Sequence, residues 1–121
     1  MESKQLAERA AQLALEKKAH DILILDVRGL TSAADRFVIC SADAETQVKA
    51  VADNVAEKLR EDGAKAWHVE GLEGRRWVLL DFVDVVVHVF YSETRQFYGL
   101  ENLWGDAPAI RVDDDDAREI A

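Results

Sequence analysis

The chain has 121 residues, of which 49% are hydrophobic and 32% are charged, and its formal net charge at pH 7 is −9. This length gives room for one domain with one hydrophobic core, and the composition is that of a globular protein rather than a disordered one. An acidic surface repels phosphate backbones, so sequence-specific nucleic-acid binding is disfavoured and a basic partner is favoured. A negative net charge is equally consistent with a role in solubility alone, so the composition does not identify a partner.

Membrane, secreted and metal-binding classes are disfavoured by the local patterns. No uninterrupted apolar run is long enough to span a bilayer, and residues 1–20 lack the apolar stretch of a secretory signal, so we expect a cytoplasmic protein without a membrane partner. Cys40 is the only cysteine, and its apolar neighbours predict a buried core thiol. The three histidines are not at ligand spacing with Cys40 or with one another, so no metal or other cofactor is expected.

The first elements along the chain are a helix and two strands. Residues 3–19 predict a helix with Ser3 as its N-cap. The nearly continuous apolar run at 21–28 predicts a strand buried on both faces, and residues 36–41 predict a second strand.

The second helix is the clearest element, predicted over residues 44–62. Its apolar side chains recur at helical spacing and form one stripe: Val48, Val51, Ala52, Val55 and Leu59. We expect Asp43 to cap its start and Gly63 to supply the left-handed residue at its end.

Three more strands and a helix complete the prediction. The strands are expected near 67–70, 76–82 and 85–91, and the final helix at 93–104, capped by Ser92. This order predicts an α/β domain with a mixed five-stranded sheet and flanking helices. We expect the domain to cover residues 1–108 and an acidic, flexible tail to cover 109–121.

The last two predicted strands form a hairpin whose two faces differ. If Val83 and Asp84 make the turn, one face is apolar apart from one hydroxyl and must belong to the core; it carries Val78, Leu80, Phe82, Val85, Val87, Val89 and Tyr91. The opposite face mixes aromatic and polar side chains: Trp77, Leu79, Asp81, Val86, His88 and Phe90. Such a mixture suits protein recognition, but the pattern equally allows one of the chain's own helices to cover this face, with Asp81 and His88 paired to each other.

The final helix carries an apolar stripe that we expect to pack on the sheet: Phe97, Leu100, Leu103 and Trp104. Arg95 and Tyr98 lie off this stripe, three residues apart, where they are able to touch. Gly99 falls inside the predicted helix, at a cost of about 1 kcal/mol relative to Ala.

The sequence gives little support for an enzyme. Signatures of serine hydrolases, zinc proteases, P-loop proteins and dinucleotide-binding proteins are all absent. Asp81 and His88 remain a candidate acid–base pair, but no nucleophile or oxyanion donor accompanies them.

The run "WVLLDFVDVVVHVF", followed by "RQFYGLENLWGDAP", closely resembles the ribosomal silencing factor family, RsfS, also called Iojap. The stretches "DILILDVRG" and "ADRFVICSA" resemble its first two strands, and the resemblance extends from about residue 5 to 108. It implies a fold similar to nucleotidyltransferases without their catalytic signature. A nucleotide-binding, degenerate nucleotidyltransferase-like protein is the alternative interpretation.

The resemblance implies a non-enzymatic factor that binds the large ribosomal subunit through its protein L-fourteen. It also implies that the factor obstructs joining of the small subunit, represses translation when nutrients run short, and forms homodimers. Carried over residue by residue, it implies one partner-binding set drawn from the hairpin and the final helix: Trp77, Asp81, His88, Phe90, Arg95, Tyr98, Leu103 and Trp104. The sequence does not decide whether Leu103 and Trp104 belong to the core or to the interface.

Overall fold

The computed structural model describes residues 1–112 and contains four helices and six strands in that range. The helices are α1 (Ser3–Glu16), α2 (Glu45–Glu61), α3 (Ser92–Tyr98) and α4 (Leu100–Leu103). The strands are β1 (His20–Asp26), β2 (Arg36–Ala42), β3 (His68–Glu70), β4 (Trp77–Asp81), β5 (Val85–Tyr91) and β6 (Ala109–Val112). No helix in this described part of the chain has the length and apolar character needed to cross a membrane.

The strands form one mixed sheet in the order β3-β4-β5-β2-β1-β6. β2 and β5 are parallel, and every other neighbouring pair is antiparallel. The five predicted strands are therefore present, but the predicted strand count was wrong because β6 adds a sixth at the edge beside β1. The sheet thus continues past residue 108, the predicted end of the domain. The predicted tail overlaps β6 at 109–112, and its remainder, 113–121, lies outside the described residues.

The sequence signal for β6 was weak because this strand has only four residues, three of them exposed. An exposed edge strand shows no burial periodicity, and its position is fixed mainly by backbone hydrogen bonds to β1, although Val112 also packs against the main core.

One face of the sheet carries the main core, under α1 and α2. The hairpin register was predicted correctly: Leu80 lies opposite Val87, and Val78 opposite Val89. The predicted core face of the hairpin packs against the apolar stripes of α1 and α2. Cys40 is fully buried on this face, as predicted, and burial raises the pKa of its thiol to about 12, so the thiol stays protonated.

The ends of the long helices differ from the predicted caps. α1 has Glu2 as its N-cap, in a capping box with Gln5, so the prediction of Ser3 was wrong by one residue. α2 begins after Ala44 without a side-chain cap, because the Asp43 carboxylate binds His20 and Ser92 instead. Gly63 follows α2 with φ +99°, which is the predicted left-handed stop.

The predicted helix at 93–104 is two short helices separated by Gly99. This residue adopts the left-handed conformation, with φ +57°, and its N–H donates to the carbonyl oxygen of Arg95 at 3.0 Å. Gly99 therefore ends α3 instead of lying within a continuous helix, as a left-handed C-terminal residue commonly does. Ser92 is also not the N-cap, which is Tyr91.

We expect Gly99→Ala to lower the free energy of unfolding by about 1 kcal/mol, because a Cβ is disfavoured at this positive φ. The matched control is Gly29→Ala, since Gly29 has no positive φ and no atom of the described residues lies within 4 Å of an added Cβ. Urea unfolding of both variants measures the difference. Equal effects of the two substitutions would contradict the assignment of Gly99 as the conformational break.

Candidate protein-docking surface

The second face of the sheet is covered in part by α3, α4 and the segment that follows them. Phe90, at 0% exposure, lies at the centre of a smaller core on this face. Leu100 and Ala107 from the C-terminal segment pack into the same cluster, and Trp77, Val86 and Trp104 lie at its partly buried margin. Because this covering segment is short, it covers the middle of the sheet face. The side chains of β4 on this face stay half-exposed.

Trp77 is the residue that joins the buried centre to the open side. Its indole Nε1–H donates to Nδ1 of His88 at 3.1 Å. Its ring stacks on Phe90 with centroids 4.9 Å apart and lies 4.8 Å from the ring of Tyr98. Trp77 therefore has a fixed orientation, with one side supported by the core and the other beside α3.

His88 is an interior group and does not pair with Asp81. Burial lowers the pKa of His88 to about 4, so the imidazole is neutral near pH 7. Nδ1 accepts the hydrogen bond of the Trp77 indole, which places the imidazole proton on the buried Nε2, an atom without a hydrogen-bond partner among residues 1–112. Asp81 instead accepts a hydrogen bond from the Val83 backbone N–H at 2.8 Å. The acid–base pair considered from the sequence is therefore not formed.

Large apolar side chains project from the C-terminal helices into solvent. Phe97 is 83% exposed, Tyr98 51% and Leu103 74%. Phe97 and Tyr98 make an edge-to-face pair with centroids 5.3 Å apart. These two rings and Trp77 line one shallow depression of about 330 Å³, whose rim includes Arg76 and Glu93. We call Trp77, Phe97 and Tyr98 the aromatic surface.

Of the eight residues predicted for partner binding, the structure places five at or near solvent: Trp77, Asp81, Tyr98, Leu103 and Trp104. The other three are interior, at 5%, 0% and 7% exposure: His88, Phe90 and Arg95. These three side chains cannot touch a partner in this conformation, so their assignment as contact residues is corrected to that of a supporting layer. His88 and Phe90 are buried because the C-terminal segment covers their part of β5, and Arg95 is buried because its side chain extends from α3 onto the sheet.

The predicted apolar stripe of the last helix is also divided. Leu100 is buried, and Trp104 is partly buried with its ring edge-to-face with Phe37 at 5.4 Å. Phe97 and Leu103, in contrast, are exposed. The predicted stripe depended on one continuous helix. The left-handed turn at Gly99 instead makes α3 and α4 run in different directions, so their side chains do not form one stripe. Phe97 was therefore missed as a surface residue, and Leu103 is resolved as exposed.

Arg95 is the buried residue of α3 and makes contacts with three other parts of the fold. Its Nη1 donates to the Asp21 carbonyl oxygen at 2.5 Å and to Ser41 Oγ at 2.8 Å. Its Nε donates to the Glu101 carboxylate at 3.0 Å. The predicted contact between Arg95 and Tyr98 is therefore replaced by an anchor to the sheet and to α4.

A second polar cluster lies at the ends of β2 and β5, where His20 is held between two carboxylates. Its Nδ1 is 2.7 Å from Asp21 and its Nε2 is 2.8 Å from Asp43. Burial opposes charge on the ring, but the hydrogen bonds to Asp43 and Asp21 outweigh this and raise the pKa of His20. Ser92 Oγ lies 3.4 Å from Nε2 and 2.8 Å from Asp43.

These groups resemble the members of a serine-hydrolase triad, but their arrangement opposes that chemistry. A triad histidine must be neutral so that it can accept the serine proton. Here Asp43 occupies the position at Nε2, and the two carboxylates favour the imidazolium. The cluster is therefore suited to fastening the start of α3 to β1 and β2. Within residues 1–112, no group of three or more His, Cys, Asp or Glu side chains is arranged to hold a metal ion.

Comparison with known families gives a match over residues 1–121 to the family described as "Ribosomal silencing factor during starvation". The chain belongs to the ribosomal silencing factor family, RsfS. A curated RsfS from Bacillus subtilis is 42% identical over 113 residues, covering 93% of this chain and 96% of the relative. The resemblance noted in the sequence is thus confirmed.

Solved structures of similar proteins share the fold of this RsfS family member. A crystal structure of a protein from Chromobacterium violaceum has a TM-score of 0.85 and 40% identity, covering 87% of this chain and 88% of that chain. A second, from Bacillus halodurans, has a TM-score of 0.80 and 36% identity, covering 91% and 100% respectively. The mixed α/β fold is therefore that of proteins closely similar in sequence.

Proposed function

We propose that this protein is a non-enzymatic translation repressor that binds the large ribosomal subunit through its protein L-fourteen. By occupying the surface where the small subunit docks, it prevents the two subunits from joining. Membership of the RsfS family supports a ribosome-associated, translation-repressing role. L-fourteen is the partner that the resemblance to the family implies, and the exposed aromatic side chains support the aromatic surface as the docking site.

The observation that carries this proposal is the exposure of Phe97 and Tyr98 on a rigid base. A phenylalanine side chain exposed to 83% has an unfavourable hydration free energy, which burial against a partner would recover. Trp77 beneath them is held by its hydrogen bond to His88 and its stacking on Phe90. Aromatic side chains with few free torsions lose little entropy on binding, which is why they dominate interface energies.

Charge would act at longer range than these contacts. The chain carries 24 acidic and 15 basic residues, so its field attracts a basic partner and speeds encounter at low salt. Glu93 lines the same depression as the aromatic rings and provides an acceptor for basic side chains of the partner. Asp81, at the other end of β4 from Trp77, provides a second acceptor farther along this face. The aromatic surface then supplies short-range specificity, and bound protein excludes the small subunit by volume.

The test is binding of the full-length protein to purified large subunits, followed by addition of small subunits. We expect Phe97→Glu to raise the dissociation constant by about 30-fold, the effect of a central interface aromatic worth about 2 kcal/mol. Co-sedimentation measures binding, and the yield of joined ribosomes measures repression. Far-UV circular dichroism should be unchanged because Phe97 is exposed. Trp77 is a poorer test position, since its ring also supports the fold.

The matched control is Ile110→Glu, which places the same charge on an apolar residue of 58% exposure in β6, at the opposite edge of the sheet from the hairpin. We expect this variant to bind and repress as the unmodified protein does. Normal binding by Phe97→Glu would refute the aromatic surface as the docking site. Sedimentation of the free protein identifies homodimers, and loss of a dimer in Phe97→Glu with normal ribosome binding would assign the surface to self-association instead.

A further inference from the structure

The position of α3 depends on a polar anchor, although it carries the most exposed aromatic side chain of the proposed docking site. Among the seven residues of α3, Arg95 is the buried one. Phe97 and Tyr98, the large apolar residues of this helix, face outward. The burial of apolar side chains that normally fixes a helix on a sheet is therefore small for α3.

We propose that Arg95 is a positioning residue that holds the aromatic surface in its binding orientation; this inference rests on the proposed docking function. Its guanidinium group joins four elements. Arg95 itself belongs to α3, the Asp21 carbonyl to β1, the Ser41 hydroxyl to β2 and the Glu101 carboxylate to α4. Arg95 thus fixes both short helices to the central part of the sheet.

The chemistry requires arginine at this position rather than any cation. The guanidinium presents donors in a fixed planar fork, which lets Nη1 reach two oxygens while Nε reaches a carboxylate. A lysine ammonium is a single nitrogen at the end of a flexible stem and cannot occupy these positions together. The anchor is also shielded from water, because the Arg95 side chain is only 8% exposed. Loss of its geometry is therefore poorly compensated by solvent.

The anchor is directly coupled to the aromatic surface through the chain. Phe97 and Tyr98 follow Arg95 by two and three residues in the same short helix. The Arg95 carbonyl also accepts the N–H of Gly99, so the turn between α3 and α4 begins at this residue. Displacement of Arg95 would release both rings from their positions beside Trp77. A partner would then bind only the fraction of molecules in which α3 is docked.

The test compares Arg95→Lys with Arg9→Lys, using purified large subunits and the full-length chain. Arg9 provides a matched control because its guanidinium is exposed and binds one carboxylate, that of Asp62 at the end of α2. We expect α3 to be docked on the sheet in about one tenth of the Arg95→Lys molecules. The dissociation constant should therefore rise by about tenfold. Arg9→Lys should leave binding unchanged.

Amide hydrogen exchange supplies the readout that separates positioning from general stability. Arg95→Lys should accelerate exchange at α3 and Gly99 while leaving the amides shared by β2 and β5 protected as before. Unchanged exchange at α3 would overturn the inference, and so would faster exchange accompanied by normal binding. If Arg95→Lys fails to fold, Glu101→Gln removes only the α4 contact, and we expect it to weaken binding about threefold with the same local exchange pattern. Normal binding and normal α3 exchange in that variant would also overturn the inference.

Phe97→Glu, measured in parallel, separates this inference from the function on which it rests. If Phe97→Glu weakens binding and Arg95→Lys does not, only the positioning role is wrong. If neither variant weakens binding, the docking surface itself is wrong and the positioning role fails with it.

Discussion

Replacing Phe90 by alanine is expected to lower the free energy of unfolding by about 3–5 kcal/mol, the usual cost of emptying a buried phenylalanine site. Phe90 is at 0% exposure and stacks on Trp77, whose ring supports the aromatic surface. Stabilities of domains are about 5–15 kcal/mol in total, so this loss is a large fraction of the whole. Urea unfolding followed by tryptophan fluorescence measures it.

The control for this prediction is the same substitution at Phe97. That side chain is 83% exposed, so Phe97→Ala should change the free energy of unfolding by less than about 0.5 kcal/mol. The two variants remove the same atoms from different environments. Similar destabilisation by both would contradict the division of this face into a buried centre and an exposed margin.

The second large effect concerns pH and His88. Its pKa in the folded protein is lowered to about 4 by burial, below the unperturbed value of 6.5. The unfolded state therefore binds a proton that the folded state excludes, and stability falls as pH falls from 6.5 towards 4. This difference makes a contribution of about 2 kcal/mol to the loss of stability between about pH 7.5 and about pH 5.

We expect His88→Leu to remove this part of the pH dependence, measured as the change in unfolding free energy between the two pH values. His20 acts in the opposite direction, because its raised pKa adds stability below the unfolded value that is lost as pH rises through the folded one. It is present in both proteins, so its contribution cancels in the comparison. His68→Leu is the control, since His68 is exposed on β3. An unchanged pH dependence in His88→Leu would show that His88 is not buried and neutral.

Much of the fold could be predicted because local pattern and tertiary environment agree. The alternation along β4 and β5 predicted the register in which Leu80 lies opposite Val87, and the stripe of α2 predicted which of its faces is buried. A wrong strand register, or a rotation of α2 about its axis, would expose several apolar side chains together. The sequence therefore strongly disfavours these other arrangements. β6 lacked such a signal, because its side chains are mostly exposed and its pairing uses the backbone.

The candidate site was predicted less completely, because its residues share composition but not environment. Of the residues predicted to contact a partner, Trp77 and Tyr98 lie at the open margin of this face, whereas His88 and Arg95 are interior. Arg95 is the residue for which the sequence-based prediction differs most clearly from the structure. An arginine beside an apolar stripe is usually solvated, and its acceptors come from residues distant in the chain, at Asp21 and Ser41.

The sequence by itself determined the family, the α/β class, the hairpin and the chemical character of its two faces. Only the tertiary structure decided that Phe90 is buried and Phe97 is exposed. The physical reason is that periodicity reports which side chains share a face, but not how far another segment extends over that face. Here the cover depends on the left-handed turn at Gly99 and on the buried bonds of Arg95, and these are set by contacts between residues far apart in the chain.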